Sequence, residues 1–432
     1  MSSSSATGRR STELGLVVMA GLVTSGAYVL VALGRTADVP PNLVPFLLCV
    51  LGLLVVAHLA TRRLARAADP VLLPIALLLN GIGYVFIARV RPDLAGLQAT
   101  WTAVGVAAYV ATLLLIRRVG DLARYTWTAA AAGLGLLCLP FLPIIGTNIN
   151  GSRIWIRLGP MSFQPGEVAK VLLAVSFAAY LTDRRELLAT GTWRVGPLWL
   201  PEPRHLGPIL AAWVVSITVM IGQRDLGSSL LFFALFAVLL WVATERSAYL
   251  ALAGILFVVG AAAAASVFDH VQRRIDIWLD PWATRQGSGY QIVQAVYALA
   301  DGGLSGAGLG LGDPRRIPEV HNDFIFAAIG EELGLFGASA LLIGYLLLIG
   351  AGLRIAVRAE RTFDKLLATG LTTVVGVQAF IIIGGVTRVV PLTGVTLPFV
   401  SYGGSSLLAN YVILGLLMRL SDTTARRLGE AG

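Results

Sequence analysis

Twelve apolar runs, each close to the length of a bilayer crossing, dominate this chain of 432 residues: 14–34, 43–61, 71–89, 98–117, 125–143, 165–182, 207–222, 227–244, 248–268, 323–353, 366–389 and 403–420. A helix of about 20 apolar residues spans the hydrocarbon core of a membrane. With 56% hydrophobic and 13% charged residues the chain is too apolar for a soluble protein of this size. The pattern predicts an all-α polytopic membrane bundle of about 12 transmembrane helices. The first run follows a Ser-rich basic head, MSSSSATGRR, and is too long for a signal-peptide core, so it reads as a retained helix. The expected organisation is a short tail at 1–13, one membrane domain at 14–420 and a second tail at 421–432.

The net charge is +9, from 33 basic and 24 acidic residues. The arginines sit between apolar runs rather than in a stripe on a soluble domain, which argues for membrane topology and against nucleic-acid binding. With the N-terminus placed in the cytoplasm, the inner segments hold 20 basic residues and the outer ones 12. Both termini are therefore expected to be cytoplasmic, in a multi-pass protein of the plasma membrane. Cys49 and Cys138 each lie inside an apolar run and suggest no disulfide framework.

This orientation turns three polar stretches outward: 144–164, QRDLG at 223–227, and the long loop 269–322. The last has 54 residues and is Gly-rich at 302–312, so it is expected to fold back on the membrane surface as a lid or re-entrant segment. In QPGEVAK, Glu167 and Lys170 are three apart on one helix face. They form a local ion pair, or else Lys170 meets an anion that Arg153 of SRIWI also grips. In QRDLG, Asp225 beside Arg224 reads most simply as the N-cap of the next helix.

The junction EVHNDFIFAAIGEELG at 319–334 carries more polar chemistry than a turn requires. Asn322 or Asp323 suits an N-cap. Glu331 and Glu332, roughly 12 Å further along a helix at 1.5 Å per residue, need a cavity or a basic partner at that depth. PLTGVTLPFVSYGGSS at 391–406 breaks a helix with two prolines and small residues, a pattern tolerated where backbone is buried in protein or lines a cavity.

SRIWI, QPGE..K, DLGSS, GSGYQ, PE.H.DFIFA.IGEELG and TG..LPF.SYGGSS occur in this order. Together they resemble the SEDS family of cell-wall polymerases, the RodA and FtsW proteins, over about 145–420, and more the RodA type. The resemblance implies a core of ten helices with two added at the N-terminus. It implies glycosyl transfer: polymerisation of lipid II on the outer face of the membrane with inversion at the anomeric centre, Asp323 being the catalytic general base. It further implies substrate contacts from Arg153, Glu167, Lys170, Arg224, Asp225, Gln291, His321, Glu331, Glu332, Ser401 and Tyr402. A class B penicillin-binding protein is the implied partner, alongside membrane lipids. No organic cofactor is implied. A divalent cation, Mg2+ or Mn2+, is left open and its ligands unknown, and no His/Cys metal-ligand spacing is present. Two departures stand out: Arg224 replaces the proline of the family's usual QPDLG, and Arg388 precedes PLTG where a small residue is expected.

Two other readings fit a polytopic chain of this kind. A lipid II flippase would place its polar groups near the midplane on broken helices. A scaffold that recruits other wall enzymes would leave the acids in 319–332 without a role.

Overall fold

A computed structural model describes residues 3–38, 43–143, 145–149, 152–158, 161–189, 193–195, 198–200 and 203–429. The first helices are α1 (Ser3–Thr36), α2 (Leu43–Leu64), α3 (Leu72–Val90), α4 (Ala95–Leu115) and α5 (Thr126–Cys138). Next come α6 (Pro165–Ala189), α7 (Pro203–Gly222), α8 (Leu226–Thr244) and α9 (Ser247–Val267). Two shorter helices, α10 (Asp269–Leu279) and α11 (Tyr290–Gly302), lie in the long loop, followed by α12 (Ile325–Arg358), α13 (Thr362–Val386) and α14 (Gly404–Arg427). Among the described residues eleven helices are long and apolar enough to cross a membrane. The twelfth apolar run lies in α7, whose apolar stretch is the shorter Leu210–Val219. The expected helical bundle is what forms. α1 begins at Ser3, inside the segment read as a tail, and α14 continues to Arg427, because a helix ladder need not stop where the apolar run does.

The sequence reading left 144–164 as a loop, whereas the structure folds it into a small antiparallel sheet of β1 (Gly146–Ile149), β2 (Ser152–Leu158) and β3 (Met161–Phe163). In its register Ile156 opposes Phe163 and Arg157 opposes Ser162. The alternation in SRIWIRL is the strand signal, two residues per repeat. A second hairpin joins β4 (Trp193–Val195) to β5 (Leu198–Leu200).

The chain packs as two compact units, one of residues 1–117, 276–352 and 378–432, the other of 118–275 and 353–377. In the first, α14 packs mainly on α4, and α1 on α3. In the second, α6 is central and packs on α5 and α8, with Phe177 and Phe236 in edge contact at 5.8 Å.

Arg419 closes one end of the first unit. Its Nε donates to Ile116 O at 3.0 Å, its Nη1 to Leu64 O at 2.5 Å and its Nη2 to Leu113 O. Carbonyls in the last turn of a helix have no intrahelical donor, and the planar guanidinium serves the ends of α2 and α4 together. Asp422 one turn on accepts from Ala67 N at 2.8 Å, and Ser421 Oγ from Asp69 N at 2.8 Å. Arg419→Met should lower stability by about 3 kcal/mol, since three carbonyls lose their donor. Arg419→Lys should recover only part of this, because a point charge lacks the fork. Thermal unfolding of the purified protein in detergent checks both.

Candidate functional site

The residues singled out from the sequence fall into two groups, one in each unit. In the first unit Asp323 is half-buried in the turn that leads into α12. That turn is held from the 391–403 segment. Tyr402 N donates to His321 O at 2.9 Å, and Ser401 Oγ donates to Asn322 O at 2.6 Å while accepting from Leu397 N at 2.9 Å. Asn322 Nδ2 donates to Glu319 Oε2 at 2.8 Å, closing a turn in which Glu319 takes the left-handed φ of 53°. Gln291 Nε2 reaches Pro318 O at 3.4 Å. Ser401, Tyr402 and Gln291 thus fix the main chain on the N-terminal side of Asp323.

The segment 391–403 is irregular backbone, and three side chains on separate helices anchor it. Tyr345 of α12 donates to Pro398 O at 2.5 Å, Asn80 of α3 to Phe399 O at 3.2 Å, and Gln378 of α13 to Thr396 O at 2.8 Å. The sequence reading missed all three. Polar residues inside otherwise apolar runs were the available signal.

Glu331 and Glu332 hold a loop. At Gly334 the ladder of α12 breaks, with φ 65° and ψ −165°, a conformation that costs a side chain dearly. The Gly-rich segment takes up the freed groups. Leu335 N donates to Gly303 O at 2.9 Å and Phe336 N to Leu304 O at 3.2 Å. In return Ala307 N donates to Glu331 O at 2.9 Å and Gly308 N to Glu332 O at 3.0 Å. The approach is so close that a Cβ on Gly306 would lie 2.2 Å from Glu332 O. The two carboxylates complete the arrangement: Glu332 Oε2 accepts from Gly310 N at 2.8 Å, and Glu331 Oε1 from Asp313 N at 2.7 Å. The basic partner expected of this pair is Arg89. Its Nε lies 3.2 Å from Glu332 Oε1, and its Nη2 donates to Gly310 O at 3.1 Å and Gly312 O at 2.9 Å. The expected folding-back of 302–312 is therefore onto the broken start of α12.

In the second unit Lys170 Nζ meets Glu167 Oε2 at 2.5 Å, and both side chains are buried. This is the local ion pair that the i, i+3 spacing predicts. Asp225 caps α8, accepting from Ser228 N at 3.0 Å and from Ser228 Oγ at 2.5 Å. Burial pushes its carboxyl above the usual carboxylate range, the Ser228 bonds oppose that, and the nearby Glu167 charge adds to it. Arg153 N donates to Gln223 O at 3.4 Å, which ties β2 to the QRDLG link. Arg224 is exposed and left-handed at φ 60°. A proline is locked near −65°, so the turn here cannot be the one that QPDLG would form. Arg388, the other departure, is also at a positive φ, 61°. Its Nη2 donates to Trp278 O at 3.0 Å, and Trp278 Nε1 returns a bond to Arg388 O at 2.9 Å, which pins the end of α10.

Among the described residues no three His, Cys, Asp or Glu side chains converge.

Helical spans, irregular turns stitched by buried polar side chains, and an acidic junction at the head of one span define a multi-pass membrane protein. A cell cycle protein family, FtsW/RodA/SpoVE, matches residues 89–426. The chain belongs to this family, as the ordered motifs indicate. It is 44% identical over 431 residues to the peptidoglycan glycosyltransferase RodA of Mycobacterium tuberculosis strain H37Rv, which covers 97% of this chain and 92% of the relative. A probable peptidoglycan glycosyltransferase FtsW of Geobacter metallireducens is 32% identical over 345 residues, covering 78% and 85%. Among solved structures, a chain of a peptidoglycan synthase complex that coordinates polymerization and crosslinking aligns with TM-score 0.69 at 27% identity, over 83% of this chain and 98% of that one. The rod shape determining protein RodA of Thermus thermophilus aligns with TM-score 0.57 at 25% identity, over 82% and 97%. The expected lean toward the RodA type agrees with the RodA relative.

Two predictions follow from this geometry. Arg89→Met strands the fully buried Glu332 carboxylate and should cost about 3 kcal/mol or more. Glu332→Gln in that background should recover part of the loss in thermal unfolding. Burial holds His321 below the ordinary histidine value, with the Glu319 charge opposing. The fold therefore favours its neutral form. That stability is present above the ordinary value and is lost as pH falls through the lowered one. His321→Gln should remove this portion of the acid sensitivity in a pH series of unfolding midpoints.

Proposed function

We propose that the chain is a RodA-type peptidoglycan glycosyltransferase that polymerises lipid II on the outer face of the plasma membrane, with Asp323 as general base. The observation that carries the residue assignment is the Asp323 junction. A half-buried carboxylate stands at the head of a membrane helix, and its turn is fixed by Ser401 and Tyr402. A preorganised base of this kind suits proton abstraction from a sugar hydroxyl. The acceptor is the hydroxyl at GlcNAc C4. Asp323 takes its proton as the oxygen attacks MurNAc C1 of a second lipid-linked unit. The bond from C1 to the diphosphate oxygen breaks, the anomeric centre inverts, and undecaprenyl diphosphate leaves with the electron pair.

The clamp of Arg89, Glu331 and Glu332 assigns the two acids to positioning. The Gly-rich loop and the broken start of α12 form one body, and Asp323 sits two residues before that helix. Within the second unit Lys170 is met by Glu167, and Arg153 and Arg224 have no acid partner among the described residues. Both termini are assigned to the cytoplasm from the arginine distribution. A class B penicillin-binding protein is the assigned crosslinking partner, in keeping with the similarity to a chain of a synthase complex.

Purified protein supplied with lipid II and the transpeptidase should make glycan strands. Asp323→Asn, folded to the same unfolding midpoint, should be slower by about 100-fold or more. Strands at the wild-type rate from Asp323→Asn would sink the base assignment. Transfer of lipid II between leaflets, with no strands from either protein, would replace a polymerase with a flippase.

A further inference from the structure

The ends of α6, α8 and α12 and the first turns of α13 enclose a cavity of about 470 Å³ that no step of the proposed reaction uses. Its size is within the usual range for a small-molecule site. All of its lining belongs to the second unit. Two walls are apolar. Val238 and Trp241 come from the last turns of α8, and Leu353 and Val357 from the last turns of α12. Trp241 is 39% exposed, Leu353 43% and Val357 79%, so these side chains stand at helix ends with no protein cover.

The polar part of the lining is Arg185, Glu245, Lys365 and three threonines, Thr362, Thr369 and Thr373, of which Thr369 Oγ1 is bonded to its own helix at Lys365 O, 2.8 Å away. Arg185 Nη2 pairs with Glu245 Oε1 at 2.8 Å, and its Nε donates to Ala243 O at 3.2 Å. These two charges are spent on each other. Lys365, half-buried on α13, has no acid partner among the described residues. Arg185 and Lys365 against Glu245 leave the lining with one net positive charge. The helix ends that form it are flanked in sequence by Arg184, Arg246, Arg354, Arg358 and Arg361 and by Asp183, Glu186, Glu360 and Asp364, a small basic excess at this end of the spans.

An apolar slot with one uncompensated cation at its rim, a tryptophan in its wall and a place at the end of membrane helices does not suit a metal, whose carboxylate ligands are lacking. A sugar is also a poor fit, because the two walls offer it no hydrogen bonds. It fits an amphiphile with one negative charge. Basic pockets between membrane helices hold anionic lipid headgroups, and tryptophan favours the headgroup level. We propose that this cavity is a binding site for one anionic phospholipid, its phosphate on Lys365 and its acyl chains along Trp241, Leu353 and Val357. Assigning that lipid to the cytoplasmic leaflet rests on the orientation proposed above; the binding itself does not.

The test uses the full-length chain in nanodiscs of phosphatidylcholine containing a minority of phosphatidylglycerol, with retained lipid counted by native mass spectrometry. Wild type should keep one phosphatidylglycerol in preference to phosphatidylcholine. Lys365→Gln should weaken that preference about fivefold, the worth of one basic group near an anionic surface. Lys365→Arg should preserve it and Lys365→Glu abolish it. The thermal unfolding midpoint of each variant, matched to wild type, serves as the folding control. Equal retention of the two lipids by wild type overturns the proposal, as does undiminished phosphatidylglycerol on both Lys365→Gln and Lys365→Glu. A copurifying peptide in the cavity in place of lipid overturns it too. None of these readouts depends on polymerase activity, so a failure here is separable from a failure of the general-base assignment.

Discussion

A backbone polar group released from a helix ladder in a low-dielectric setting must find another partner, and the arrangement around α12 depends on this. At Gly334 the ladder opens, and amides and carbonyls that the helix would have paired are taken up by residues 303–308. An unmatched amide or carbonyl in hydrocarbon costs several kcal/mol. The break is therefore stable only with the glycine loop beside it, and the loop keeps that place because Glu331, Glu332 and Arg89 bond its main chain. The acids look like ligands in the sequence but act on the backbone.

The same economy recurs elsewhere in the first unit. Tyr345, Asn80 and Gln378 satisfy carbonyls of the irregular 396–399 stretch, and Arg419 satisfies carbonyls at the ends of α2 and α4. Each is a polar side chain inside a membrane helix, costly unless paired. The outcome is a rigid turn before α12. The turn bearing Asp323 is bonded to a segment that is itself anchored to three helices, so its carboxylate is presented by a preorganised frame.

The sequence was most readable where a single residue type has a single physical use. Asp225 before LGSS is an N-cap because a short carboxylate reaches the amide three residues on. Glu167 and Lys170 pair because i and i+3 share a helix face. It was least readable where partners lie far apart in the chain. Arg89 is 243 positions from Glu332, and as one basic residue among many it was counted only as a topological charge. Arg388 stood out only as a departure before PLTG, and the carbonyls of Trp278 and Leu279, which it bonds, lie 110 and 109 positions away. The sheet at 146–163 went unread because so short an alternating stretch gives a weak periodic signal beside the long apolar runs.

Hydropathy alone determined the helical membrane class, the number of long apolar runs and the polar junctions between them, because burying about 20 apolar residues in lipid leaves a chain little choice. The order of motifs determined the family. Tertiary structure decided which acids fasten a loop and which stands in the turn before α12. Glu331, Glu332 and Asp323 are chemically alike and lie within ten residues, yet two face a glycine loop and an arginine while the third stands in the turn before the helix. A carboxylate's role is set by what its oxygens meet. For Glu331 and Glu332 those partners come from α3 and from the loop 302–313, while the segment 391–403 holds the main chain just before Asp323, and only folding brings these to the same place.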